Sequence, residues 1–253
     1  MSNSAAQGNQ PLNEMRPPAD YDPTDYVWTH GRRGVSTTGA SITSHFGDVH
    51  SALLNFIGAS EAVVGCVAWM TDFTILDQLA NIETAIIVQK EDFLRPDLGI
   101  KQGWKARIRT KYAALHNEWM RYDFPAPLAD MTTNSLSGID AVRCVGTHNS
   151  EQKSATPRMH HKFLVRLRQE TVEGTDFGAL GKSADRVILH PEAVWTGSFN
   201  FSKNAGASFE NAVEIESAEV AQSYLEEFSR VASLGEPLDW TSNWVMPEWR
   251  LGT

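Results

Sequence analysis

Two short apolar runs, separated by a segment long enough for a helix, constrain the fold more than any other feature. Residues 61–70 (EAVVGCVAWM) and 83–89 (ETAIIVQ) are rich in β-branched residues and almost continuously apolar. Runs of this length and composition are typical of strands buried on both faces of a sheet. Thr71 and Asp72 offer an N-cap for a helix over residues 73–81 between them. This order predicts a right-handed strand–helix–strand unit with parallel strands.

The remaining pattern extends this unit to an α/β domain. Strands are predicted over residues 41–46, 139–146, 162–168 and 211–216, and as two pieces, 186–190 and 193–197, interrupted by Pro191. Apolar residues at helical spacing predict helices over residues 47–60, 104–120 and 217–234. The polar, Gly-rich stretch 169–185 is predicted to be a surface excursion.

The length of 253 residues fits one large domain or two small ones. The polar, Pro-rich residues 1–25 are predicted to be a flexible tail, and residues 26–253 a single domain that ends in an acidic segment, 235–253, with three tryptophans. Cys66 and Cys144 lie in apolar runs and are expected to be buried, reduced thiols. No apolar run is long enough to span a membrane and no secretory h-region is present. A cytoplasmic protein without stable membrane association is therefore expected.

The net charge of −9 argues against a generic nucleic-acid binder. The charge is unevenly distributed, because residues 210–253 carry nine acidic and only two basic side chains. The middle of the chain is mildly basic, and a polyanionic substrate is not excluded.

Two clusters of potentially catalytic residues lie about 35 residues apart, next to strand-like runs. His160 and Lys162 are two positions apart on a predicted strand and should share a face, with His161 and Phe163 on the other. Ser198 and Asn200 have the same spacing. A cation, an imidazole, a hydroxyl and an amide can together hold a tetrahedral phosphate.

Histidine can also attack phosphorus as a nucleophile, and a carboxylate can fix its tautomer. Glu210 is the candidate for that carboxylate. The spacing alone leaves phosphoryl chemistry as one of several readings. A metal site is disfavoured because adjacent histidines on a strand diverge, and a serine hydrolase because Gly197-Ser198-Phe199-Asn200 lacks a second glycine.

Four residues are candidates for contacting substrate. Lys90 follows the second apolar strand, where loops of α/β sheets commonly border binding sites. Lys105 and Arg109 belong to a basic stretch, 101–111, which could follow a phosphate backbone or simply be a solvated helix face. His148 lies in the polar loop before His160 and is either a substrate contact or an ordinary surface residue.

Taken together, the clusters resemble the catalytic signature of the phospholipase D superfamily. His160-His161-Lys162 is similar to its His-x-Lys, Gly197-Ser198-Phe199-Asn200 to its Gly-Ser-x-Asn, and Glu210-Asn211-Ala212-Val213 to the glutamate before an apolar strand. The resemblance extends over roughly residues 41–232 and is strongest to small, single-motif nucleases. One position departs from the pattern: Leu167 stands where the family often has an aspartate.

The resemblance implies a fold, a mechanism and a partner. The fold would be a mixed β-sheet flanked by helices on both faces. The activity would be a phosphodiesterase that needs no metal or other cofactor, with His160 as nucleophile and Lys162, Ser198 and Asn200 holding phosphate oxygens. Glu210 would orient His160. Because the family needs two motifs and this chain has one, a homodimer with the two His160 residues facing each other is implied.

Three functions remain open at this point. An endonuclease acting on nucleic acid is the first expectation. A phospholipase D-type lipid phosphodiesterase is the second, ranked lower because no strong amphipathic membrane helix is visible. A non-catalytic binding module that kept the fold is the third.

Overall fold

The computed structural model describes residues 34–94, 101–131, 138–146, 158–172, 186–238 and 240. The predicted tail 1–25, His148 and most of the acidic segment 235–253 lie outside this part. The described residues form four α-helices: α1 (Val49–Gly58), α2 (Phe73–Leu79), α3 (Gln102–Ala113) and α4 (Ala218–Ser233). They also form eight strands: β1 (Ser41–Phe46), β2 (Ala62–Val67), β3 (Glu83–Gln89), β4 (Val142–Val145), β5 (Lys162–Val172), β6 (Arg186–Gly197), β7 (Asn211–Glu216) and β8 (Glu236–Pro237).

The eight strands form one mixed sheet in the order β1-β7-β6-β5-β2-β3-β4-β8. Side chains alternate along each strand, so Val63 and Val67 of β2 face the core under α1, α2 and α3, whereas Val64 and Cys66 face the core under α4. The expected fold class, an α/β sheet with helices on both faces, is therefore confirmed. None of the helices in the described part combines the length and apolar character needed to span a bilayer.

The strand–helix–strand unit that dominates the sequence lies in the centre of this sheet. β2 and β3 are parallel neighbours joined by α2. The Asp72 carboxylate caps α2 by accepting hydrogen bonds from the backbone N–H groups of Thr74 (2.9 Å) and Ile75 (3.1 Å). β5 pairs antiparallel with the other edge of β2. The unit thereby fixes where the first residues of β5 lie.

The predicted helix over residues 104–120 is wrong beyond Ala113, where α3 ends. The chain then bonds to the amino end of β3: Thr84 N donates to His116 O (2.8 Å), and the Asn117 side chain donates to Thr84 O (2.9 Å). Trp119 is buried in the core under α4, on the sheet face opposite α3. These long-range contacts override the helical spacing of the apolar residues. No local sequence pattern reveals such contacts.

The two strand pieces predicted around Pro191 are in fact one strand, β6. Pro191 pairs with Leu167 of β5, and the register shifts between Arg166 and Leu167. That irregularity accommodates the missing N–H of proline without breaking the strand. β5 is likewise longer than predicted and continues to Val172. Of the predicted excursion 169–185, residues 173–185 lie outside the described part.

Both cysteines are buried free thiols, as expected. Burial raises the pKa of Cys66 well above the usual thiol value and that of Cys144 to about 12. Neither thiol forms a reactive thiolate near neutral pH.

Candidate active site

Three neighbouring strands bring the two predicted clusters to one edge of the sheet. β5 begins at Lys162, β6 ends at Gly197 and β7 begins at Asn211. Phe163 of β5 pairs with Thr196 of β6, and Gly197 pairs with Ala212 of β7. Adjacent strand ends are therefore flanked by the three parts of the predicted site: the His160–Lys162 segment, the Ser198–Asn200 turn and Glu210.

His160 and Lys162 are in direct contact. The Lys162 ammonium donates hydrogen bonds to His160 Nδ1 (3.1 Å) and to the His160 carbonyl (2.8 Å), and the lysine is only 7% exposed. An ammonium group can only donate, so Nδ1 must accept. The imidazole in this arrangement is consequently neutral, with its proton on Nε2.

The neighbouring residues His161 and Phe163 occupy the opposite face, as the alternation predicts. Their rings lie 5.6 Å apart, and His161 Nε2 is 3.4 Å from a carboxylate oxygen of Glu227 on α4. Two adjacent histidines thus have different surroundings, and only His160 belongs to the cluster with Lys162.

The surroundings of His160 and Lys162 lower the pKa of both groups. Partial burial lowers the pKa of His160, and the positive charges of Lys162 and Arg158 lower it further, with a smaller contribution from His161. Burial also lowers the pKa of Lys162, while the Glu210 carboxylate opposes that shift. Neutral imidazole is the form that can act as a nucleophile.

The turn after β6 presents polar side chains between aromatic anchors. Phe199 and Phe201 are buried in the core, and Ser198 and Asn200 alternate with them. A Cβ at Gly197 would lie 2.2 Å from the Asn211 carbonyl oxygen, so only glycine allows β6 and β7 to approach this closely. The glycine of this motif is therefore a structural requirement of the turn.

Glu210 contacts Ser198 rather than His160. The Ser198 hydroxyl donates to the Glu210 carboxylate and accepts a hydrogen bond from the Asn211 N–H (3.1 Å). The sequence suggested Glu210 as the group orienting His160, and no such bond is present between these two described residues. Asn200 Oδ1 is buried with no hydrogen-bond partner in the described part of the chain.

The segment that follows β2 joins the two halves of the site. Residues 68–72 follow β2: Ala68 N donates to His161 O (2.9 Å), and Phe201 N donates to Trp69 O (3.0 Å). The half-buried Trp69 ring lies edge-on to His160, with centroids 5.3 Å apart, and 5.7 Å from Lys162 Nζ. The sequence contained a signal for Trp69: it is an aromatic residue directly after a buried strand that ends at a predicted site.

The four candidate substrate contacts differ in burial, and one of them lies outside the described residues. Lys90 is buried, and its ammonium forms an ion pair with Glu236 of β8, so its expected place in an open groove is not supported. Lys105 is half-buried and Arg109 exposed on α3. His148 lies outside the described residues. Within that part, no group of three or more His, Cys, Asp or Glu side chains is placed to hold a metal ion.

Comparison with known proteins adds relatives to this geometry. An uncharacterized protein, L381, of Acanthamoeba polyphaga mimivirus is 29% identical over 210 residues, covering 80% of this chain and 69% of that protein. Nuc of Salmonella typhimurium, a phospholipase D family member, is 19% identical with a TM-score of 0.43, covering 78% of this chain and 97% of its own. NucT of Helicobacter pylori is 13% identical with a TM-score of 0.46, covering 78% and 98%.

Both structural similarities have TM-scores below 0.5 and therefore do not establish the family. The match that does is to the sequence model of a protein family. The model described as "Cardiolipin synthase, PLD-like domain" matches residues 101–232, just over half of the chain and the whole of the His160–Glu210 region. Its superfamily cleaves or transfers phosphodiester bonds. The protein therefore belongs to the phospholipase D superfamily.

Proposed function

We propose that the protein is an endonuclease that cleaves nucleic-acid phosphodiester bonds without a metal ion, through a phosphohistidine at His160. The observation that carries this proposal is the contact between His160 and Lys162 at the strand edge that also bears Ser198 and Asn200. A nucleophile and a cation in contact, next to strand ends that carry a hydroxyl and an amide, support the proposal because such groups can together surround a phosphate.

In the first step, His160 attacks phosphorus and the bond to the leaving oxygen breaks. The resting ring carries its proton on Nε2 because Lys162 occupies Nδ1. When phosphate arrives, Lys162 can turn from Nδ1 to a non-bridging oxygen, and the ring can adopt the tautomer with a free Nε2 lone pair. A second histidine, protonated on both ring nitrogens beside the negative charge of the bound phosphate, donates its Nε2 proton to the leaving oxygen and becomes neutral.

In the second step, water cleaves the phosphohistidine. The second histidine, now neutral at Nε2, accepts a proton from water, the new P–O bond forms and the P–N bond breaks. His160 and the second histidine return to their starting states. Two identical rings can take different roles once substrate is bound, because one attacks as neutral imidazole and the other acts as the acid in its protonated form.

The second histidine is proposed to be His160 of a second copy of the chain. An exposed apolar surface borders the site: Ile42 and Phe46 on one face of β1, and Phe209 directly before Glu210. Phe46 pairs with Asn211, which follows Glu210. Exposed apolar patches of this kind commonly mark interfaces. A two-fold contact through this surface would bring the two sites together.

Cationic side chains support nucleic acid as the substrate. Lys101, Arg107 and Arg109 are exposed on or beside α3. The Arg107 guanidinium also stacks on the Phe73 ring of α2 at 4.7 Å. α3 is tied to the site through Tyr112, whose hydroxyl donates to the Met70 carbonyl (2.6 Å), one residue after Trp69. A group of exposed positive charges on one helix suits contact with a phosphate backbone.

A lipid phosphodiesterase is the second candidate, and two observations favour it. The matching family model is described as a cardiolipin synthase domain. The exposed Phe46 and Phe209 could equally contact lipid at the rim of the site. The chemistry at His160 would be the same, and only the substrate would differ.

The substrate is tested by incubating the protein in EDTA with plasmid, single-stranded DNA, RNA, and vesicles of phosphatidylcholine or cardiolipin. The proposal expects cleavage of nucleic acid, loss of cleavage in His160→Ala, and retention in His161→Ala, the matched histidine on the opposite face. An acid-labile phosphoenzyme should be trapped only when His160 is present. Cleavage confined to the vesicles would favour the lipid candidate, and an absolute need for Mg²⁺ would contradict the mechanism.

The shared site is tested by subunit mixing. After subunit exchange, an equimolar mixture of wild type and His160→Ala should have about a quarter of the activity of the same total amount of wild-type protein. Only dimers of two intact chains have both histidines. Independent chains would retain about half. Phe46→Asp should convert the dimer to an inactive monomer in light scattering. Ile188→Asp, an exposed apolar position at the other end of β6, is the control.

A further inference from the structure

Gln89, the last residue of β3, is a buried polar side chain with both ends of its amide engaged. It is 1% exposed. Its Nε2 donates to the Lys90 carbonyl (3.2 Å), and its Oε1 accepts a hydrogen bond from the Met159 backbone N–H (2.8 Å). A buried amide is costly unless it is hydrogen-bonded, so both contacts define one orientation of the side chain.

The contact with Met159 holds the backbone directly before His160. β5 begins only at Lys162, so residues 159–161 lack the regular hydrogen bonds of a strand pair. On the far side of His160 the chain is fixed by the bond from Ala68 N to His161 O. On the near side it is fixed by Gln89 and by the Met159 side chain, which is buried under α4. His160 is thus held from both directions.

Gly146, which follows β4, is shaped to leave room for this amide. Its φ is +94°, a conformation that favours glycine. A Cβ there would lie 2.8 Å from both Nε2 and Oε1 of Gln89. The backbone beside it is tied to β3 by the bond from Lys90 N to Val145 O (2.9 Å). Gln89 and Gly146 therefore form a matched pair.

We propose that Gln89 is a positioning residue for the reaction at His160, and that Gly146 provides the space this role requires. The inference rests on the proposed catalytic role of His160. Gln89 does not face the phosphate position; it fixes the backbone from which the nucleophile projects. A displacement of about 1 Å at a reacting group can lower the rate about 10²-fold.

The test uses Gln89→Met, which keeps nearly the same volume but removes both polar groups. It should lower kcat about 10- to 10²-fold while KM changes little, because the misplaced group acts in the transition state. Gly146→Ala should act in the same direction. The control is Thr84→Val at the opposite end of β3, which also removes buried hydrogen bonds, to Leu79 O and Ile82 O. It should reduce thermal stability without changing kcat of the folded protein.

Gln89→Glu is the conservative rescue variant. When protonated, a glutamic acid can accept from Met159 and donate to the Lys90 carbonyl, as glutamine does. Burial raises the pKa of such a carboxyl group, so the ratio of its kcat to wild type should be high at acid pH and fall as pH rises. A purely structural role for Gln89 would not produce this pH-dependent ratio.

Hydrogen exchange and NMR separate this inference from the proposed function. If the wild type cleaves no phosphodiester, the catalytic proposal fails, but Gln89 can still be tested. The Met159 amide should then exchange faster in Gln89→Met, and the His160 ring signals should shift, while both stay unchanged in Thr84→Val. Unchanged exchange and ring signals, or a kcat loss no greater than in Thr84→Val, would overturn the positioning role.

Discussion

The two ends of the β5–β6 hairpin carry the same residue types but differ in what surrounds them. At one end are His160, Lys162 and, directly before the adjoining strand β7, Glu210. At the other end, His190 Nε2 lies 2.9 Å from Glu170, and Arg168 lies 3.9 Å from Glu170 and 3.6 Å from Glu192. Both ends therefore combine imidazole, cation and carboxylate.

Burial and aromatic contact distinguish the two ends. The Lys162 side chain is buried against Trp69 and His160, whereas the Arg168 side chain is 50% exposed. Water screens the Arg168 cluster, so its charges interact weakly. At the His160 end, partial burial shifts the pKa of both His160 and Lys162. Residue types alone do not make a site; the difference lies in the packing that removes solvent from the cation.

Replacing the cation at each end of the hairpin by methionine should give the largest difference in kcat/KM between the two ends. Lys162→Met should lower kcat/KM about 10²- to 10³-fold, because the charge that develops on the phosphate loses its cation. Arg168→Met should leave kcat/KM within about twofold, since an exposed cation in water contributes little. Steady-state kinetics on the preferred substrate measure both. Equal losses in the two variants would remove the distinction between the ends.

Trp69 should give the next largest effect. Trp69→Leu removes the ring that packs against His160 and faces the Lys162 ammonium, and should lower kcat about tenfold through misplacement of both groups. Trp69→Phe should recover part of the loss because it keeps an aromatic face. The control is Trp119→Phe near the other end of the hairpin, where the indole N–H donates to Gln169 Oε1 (2.5 Å). That variant should change stability and leave kcat unaltered.

The sequence allows most of the fold to be predicted where the signal is local. The observed bounds of β3 and β7 match the predicted ones, because β3 is a short apolar run and β7 a short mixed run of strand-forming residues. The end of α3 could not be predicted, since it depends on bonds from residues 116–117 to β3 and on the burial of Trp119 across the sheet. β8 was missed because a two-residue strand, Glu236–Pro237, has no periodicity to detect.

The same division applies to the site. The shared face of His160 and Lys162 follows from strand alternation and was predictable. The burial of Lys90 depends on Glu236, which lies 146 residues away in the chain. Glu210 is hydrogen-bonded to Ser198 and not to His160, and this depends on side-chain rotamers. Leu167, at the position where the family often has aspartate, is fully buried in the core under α4.

The titration of His160 should report the charge of Lys162 beside it. Its pKa is lowered, so the neutral ring should persist below the ordinary value of 6.5 and be lost only at more acid pH. Activity that depends on neutral His160 should therefore hold to lower pH than for an ordinary histidine. Lys162→Met removes a nearby positive charge, and the NMR midpoint of His160 should rise. A midpoint that is unchanged or falls would mean that the Lys162 charge does not act on the ring.

The smallest effect is expected at the exposed end, where the His190–Glu170 contact can be measured by a double-mutant cycle. His190→Ala, Glu170→Ala and the double variant should give a coupling energy of at most about 1 kcal/mol in denaturant unfolding. Added salt should reduce it further, because both groups are reached by solvent. The same three variants should retain full phosphodiesterase activity. A coupling well above this value, or a loss of activity, would show that solvent exposure does not separate the two ends of the hairpin and that the exposed cluster contributes to the reaction.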